Sequence, residues 1–140
     1  MKIDLRLNSD LKNKLVEYYN ILLSKYDFIV DAIDNVTAKL DLIERANKLN
    51  IPIISSMGTG NKLHPELFEI EDINKTSVCP LARVVRRELK KRGVEKLTVV
   101  YSKEEPMKTE NSVPGSVSFT PPVAGYLMAG YVINKLIEEA

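Results

Sequence analysis

The 140-residue sequence holds a single cysteine, Cys79, and a single histidine, His64. One thiol excludes an internal disulfide and cannot by itself make a zinc site, which suits a reducing, cytoplasmic setting. His64 lies in a loop pattern and offers Cys79 no evident catalytic partner, so a buried structural thiol is expected. No stretch has eighteen uninterrupted apolar residues, and the start MKIDLRLNSD has no apolar core of signal-peptide length. Neither membrane spanning nor secretion is therefore expected. An excess of one charge is also missing. Twenty basic groups face nineteen acidic ones, a net +1, so a nucleic-acid partner could be signalled only by local clustering. What remains is an ordinary globular composition, 44% hydrophobic and 28% charged, of a length that suits one domain over 1–140.

Periodicity gives the elements. Residues 3–7 alternate apolar and charged groups and read as a short strand, and 11–24 read as a helix with Leu11, Leu15, Tyr18, Tyr19 and Leu22 on one stripe. Phe28-Ile29-Val30 reads as a strand buried on both faces. Helical spacing returns over 36–49 through Val36, Leu40, Ile43 and Ala46. A second buried strand, 51–54, starts at Pro52 and runs into the small-residue loop SSMGTGNK, 55–62. Residues 68–73 suit an edge strand. Pro80 opens a helix that continues to Arg92 and stops at Gly93, and 97–101 is a clear strand. Residues 102–120 read as a long, mobile loop. Pro121-Pro122 opens a last helix, apolar to Ile137 and expected to be largely buried. Alternating strands and helices predict an α/β layer with a mostly parallel sheet.

In such sheets ligands sit beyond the carboxyl ends of the strands. There YDFIVDAIDN (26–35) places Asp31, Asp34 and Asn35, where a lone charge is costly to bury. Either Asp34 or Asn35 can cap the helix that follows. Asp34 can also serve a hard cation beside a triphosphate, and a helix N-terminus favours anions. SSMGTGNK lacks the full glycine pattern of a phosphate loop, and positive φ at Gly58 and Gly60 would explain its glycines equally well. Lys62 is its candidate anion contact. CPLARVVRRELKKRG (79–93) buries Leu81, Val84, Val85 and Leu89 while Arg83, Arg86, Arg87, Lys90, Lys91 and Arg92 crowd the rest, offset only by Glu88. That face is either simply solvated or a contact for polyphosphate or RNA. GSVSFTPPVAG (115–125) suits a packing joint or a substrate rim.

Taken in order, YDFIVDAIDN, IPIISSMGTGNKL, INKTSVCPLARVVRRELKKRG, VVYSKEEP and PGSVSFTPPVAGYLMAG resemble the carboxyl-terminal part of the tRNA threonylcarbamoyladenosine dehydratases. Those are adenylating enzymes of the ubiquitin-activating-like group, alongside ThiF, MoeB and HesA. The resemblance implies a partial Rossmann-like three-layer α/β fold and Mg-ATP-dependent activation of a carboxylate on a modified tRNA adenosine, closed to the cyclic form on loss of AMP. It puts Asp34 near Mg²⁺ and the triphosphate, with Asn35 and Asp31 at neighbouring pattern positions, and gives Cys79 no covalent role.

The departures matter as much. No glycine precedes Gly58, so the family's Gly-rich turn, with the acidic, arginine and lysine positions that hold the nucleotide, is missing. The resemblance therefore implies a chain truncated on its amino-terminal side, inactive alone, binding Mg-ATP weakly and self-associating as a homodimer, with 3–7 pairing against 27–33 or a second copy. The alternative is a non-catalytic RNA- or protein-binding module that uses the basic helix 81–92.

Overall fold

The computed structural model describes residues 9–110, 113–138 and 140. The strand expected over 3–7 lies outside them. Four helices and four strands follow in the order α1 (Ser9–Leu23), β1 (Ile29–Asp31), α2 (Val36–Lys48), β2 (Ile53–Ser56), β3 (Phe68–Asp72), α3 (Pro80–Lys91), β4 (Thr98–Ser102) and α4 (Thr120–Glu138). Two single-turn 3₁₀ helices, Pro65–Leu67 and Ile73–Lys75, flank β3.

The sheet order is β1-β2-β4-β3. β1, β2 and β4 run parallel, while β3 closes the edge antiparallel to β4. This is the mostly parallel α/β sheet expected from the sequence. Punctuation also falls where the residues predict. Pro52 immediately precedes β2, and its carbonyl accepts from Ile29 N at 2.8 Å. Pro80 opens α3, and Gly93 ends it at φ +69°, a left-handed conformation that glycine adopts without penalty.

Side chains alternate across β4, which separates two cores. Val99 and Tyr101 point to one face, where they meet Leu40 and Ile43 of α2 and Ala82, Val85 and Leu89 of α3. Cys79 is buried in this cluster, as expected for a structural thiol. Val100 points to the other face, with Ile54, Phe68 and the α4 residues Ala124 and Met128. The result is three layers, α2 and α3 over the sheet and α4 beneath.

Two expectations are corrected here. β1 is not buried on both faces, because Val30 is 51% exposed. α4 packs against β2, β3 and β4, and nothing comparable covers Val30. α4 itself is largely open: Thr120, Ala124 and Met128 are buried, whereas Tyr126, Ile133 and Ile137 are exposed. One side of a helix suffices to cover a sheet, and the other side of α4 has no described neighbour. The stripe Leu11, Leu15, Tyr18, Tyr19 and Leu22 of α1 lies at the surface. α1 enters the core through Leu23, which joins Ile29, Leu42 and Ala46.

Candidate functional site

β1 and β2 end side by side, with Asp31 opposite Ser55. Asp31 is fully buried, and so are Ser55 and Lys39. A charge in that position requires a partner and further hydrogen bonds. Lys39 supplies them from α2. Its Nζ donates to Asp31 Oδ2 at 2.7 Å, to Ser55 Oγ at 3.2 Å and to the Ser56 carbonyl at 3.0 Å, which uses all three ammonium hydrogens. The Ser55 hydroxyl donates to the same Asp31 oxygen. The other oxygen, Oδ1, accepts from Ile33 N at 2.9 Å. Asp31 is therefore spent in a buried lock that joins two strand ends to α2 and sets the turn carrying Asp34.

Asp34 stands outside that lock. It is exposed, at the strand-end rim and at the start of α2. The sequence left open which residue caps the helix, and the structure assigns the cap to Asn35. Its Oδ1 accepts from Ala38 N at 2.9 Å, with extended backbone at φ −72° and ψ 116°. The Asp34 carboxylate has no hydrogen bond or ion pair among the described residues.

Lys62 is neither solvated nor presented to the rim, since only 2% of it is exposed. Its Nζ donates to the Glu104 carbonyl at 2.6 Å, and Thr120 Oγ1 donates to its carbonyl. Burial pushes the Lys62 amine below its ordinary value, against the opposing pull of Cys79 and Glu104. Burial also raises the Glu104 carboxyl, but hydrogen bonds from the Leu63 and His64 N–H groups outweigh this and hold it below the usual range.

Described residues of the stretch 102–120, expected to be a mobile loop, are tied to the β2 loop at several points. Asn61 N donates to the Gly115 carbonyl at 2.7 Å, Gly115 N to Asn61 Oδ1 at 2.9 Å, and Met107 N to the Asn61 carbonyl at 2.8 Å. Gly58 and Gly60 are not at positive φ; that conformation falls to Asn61 at 56°. The requirement at Gly60 is steric, because a Cβ there would sit 2.9 Å from Pro114 Cβ. The two segments enclose a small cleft of ≈ 290 Å³ bordered by Asn61, Lys62, Met107 and Ser116.

The charges of α3 are less bare than the sequence implies. Glu88 pairs with Arg87 and Lys91, and Glu44 of α2 reaches Arg92 at 2.7 Å. Arg86 is half-buried and its Nη1 holds the 73–76 turn through the Ile73 and Thr76 carbonyls and Thr76 Oγ1. Arg83 and Lys90 remain exposed. The structure thus brings Asp31, Asp34 and Asn35 together at one strand end, while the arginine cluster lies along a helix apart from them.

Lys39, Ser55, Asn61 and Glu104 were missed from the sequence. Lys39 did carry a signal: it lies three residues after Val36 and four before Ile43, on the apolar face of α2. A cation there implies a buried anion nearby. Among the described residues no three His, Cys, Asp or Glu side chains group as a metal site, and no helix is long and apolar enough to cross a membrane.

Comparison with known proteins places these features in a family. The model of the ThiF family matches residues 3–140. A tRNA threonylcarbamoyladenosine dehydratase of Bacillus subtilis is 37% identical, over 81% of this chain and 52% of its own length. The chain thus spans about half the length of that relative. A crystal structure of the Escherichia coli tRNA N6-threonylcarbamoyladenosine dehydratase in complex with AMP superposes with a TM-score of 0.80 at 24% identity. It covers 91% of this chain and 54% of its own. The same enzyme in complex with ATP gives 0.77 at 22%. At these identities the superpositions establish the Rossmann-like fold.

Proposed function

The chain belongs to the ThiF family, and from that premise we propose that it supplies the magnesium-side rim of an ATP-dependent, carboxylate-activating site. The reading is that of a tRNA threonylcarbamoyladenosine dehydratase, the activity named for its relatives. The observation that carries it is the division of labour at the end of β1. Asp31 is consumed by Lys39 and Asn35 by the α2 cap, so of these three side chains Asp34 is the one left free at the rim. A hard cation beside phosphate oxygens takes such a ligand.

These residues do not make a complete Mg-ATP site. One free carboxylate is too few donors, and no glycine before Gly58 leaves no Gly-rich turn to cradle phosphates. What this chain does is hold Asp34: the Asp31–Lys39–Ser55 lock fixes the turn, and the Asn35 cap fixes the helix start. A complete nucleotide site needs further contacts that these residues do not supply. Alone, the chain binds Mg-ATP weakly and adenylates nothing. Micromolar Mg-ATP affinity in calorimetry would contradict that statement.

The test of function is a fusion of this chain to the part of the Bacillus subtilis relative that it does not match. ATP–pyrophosphate exchange is expected in the fusion, with a loss of about a hundredfold on Asp34→Asn. Exchange unaffected by Asp34→Asn would remove the assignment.

A further inference from the structure

The cations of α3 fall into two sets. Arg86, Arg87, Lys91 and Arg92 are engaged by the protein itself. Arg83 and Lys90 are exposed and have no counter-ion among the described residues. Both border a cleft of ≈ 700 Å³ between α3 and the segments around 73–74 and 93–95. Arg86 and Arg87 also line it, and Glu95 is the one acid there. With Arg87 already paired to Glu88, three cations face one carboxylate, a local excess in a chain whose net charge is +1. The floor is apolar, formed by Ile73, Leu89 and Val94. Lys90 lies seven positions after Arg83, so they stand about 10 Å apart along the helix axis, as a line of charge rather than a point.

We propose that this cleft grips the phosphodiester backbone of an RNA strand. A line of cations matches a ligand with one charge per nucleotide. Guanidinium groups meet phosphate oxygens in a bidentate fork and also stack on unpaired bases. The choice of RNA rests on the proposed function; the place rests on the cleft itself. Arg86 has a second role, since its hold on the 73–76 turn shapes one wall.

The experiment is fluorescence anisotropy with a labelled RNA hairpin, using the 140-residue chain across about 50–200 mM salt. Wild type is expected to bind more weakly as salt rises. The Arg83→Gln/Lys90→Gln variant is expected to lose about tenfold in affinity, with a salt slope shallower by about two. Lys12→Gln/Lys25→Gln on and beside α1 removes equal charge and is expected to change affinity less than twofold. Equal weakening by the two variants would reduce the effect to bulk charge and overturn the proposal, as would absence of RNA binding. Polyglutamate binding in preference to the hairpin, lost in the cleft variant, would assign the cleft to an acidic peptide and also overturn it. None of these outcomes touches the Asp34 reading, which is decided by pyrophosphate exchange.

Discussion

Asp31 and Asp34 are three residues apart and chemically identical, yet the fold gives them opposite environments. One is sealed at 0% exposure beneath Lys39; the other stands in solvent. Removing a partner from a buried pair leaves the survivor uncompensated, whereas removing both leaves no charge to solvate. Lys39→Met is therefore expected to lower stability by about 3–5 kcal/mol, and Asp31→Asn/Lys39→Met by clearly less. Urea denaturation of the two variants checks this. A double variant no more stable than the single one would mean that the pair is not the source of the loss. The same lock bears on function, since it holds the turn from which Asp34 projects.

At the scale of elements, two loops that begin at the same rim hold each other. The β2 loop and the chain after β4 meet through Asn61 and Gly115, with Pro114 in the space a side chain at Gly60 would need. Gly60 has no positive φ to protect, so Gly60→Ala acts through contact alone. The added methyl is expected to push the segments apart, speeding amide exchange at Met107 and Gly115 while leaving Val99 and Val100 protected. Hydrogen exchange read by NMR tests this directly. Unchanged protection at Met107 and Gly115 would show that the contact is absorbed elsewhere. The helix caps tell a related story: Asn35 took the cap, and that left Asp34 available.

For the whole molecule, the open surfaces lie on one flank and one face. The outer edge of β1 pairs with nothing among the described residues, and apolar side chains of α1 and α4 are exposed. Unpaired strand edges and apolar patches promote association. The expected outcome is concentration-dependent self-association in sedimentation equilibrium, with an average mass above the monomer. A single monomeric species at every concentration would count against it. Such association, the homodimer of the sequence reading, stands as a proposal beside RNA contact at the α3 cleft.

The sequence by itself determined what local chemistry controls. Proline and glycine placed the ends of α3, hydrophobic period placed α2 and β4, and the ordered motifs pointed to the family and its Rossmann-like layering. Those signals act within one or two turns of the chain, so they can be read in one dimension. Tertiary structure decided everything that depends on which neighbour arrives. Lys39 meets Ser55 across sixteen positions, and Gly115 meets Asn61 across fifty-four. Whether Val30 or the outer side of α4 is covered depends on where the adjacent helix stops. Burial and charge pairing are properties of neighbours in space; they turned two matching aspartates into a structural lock and an open ligand position.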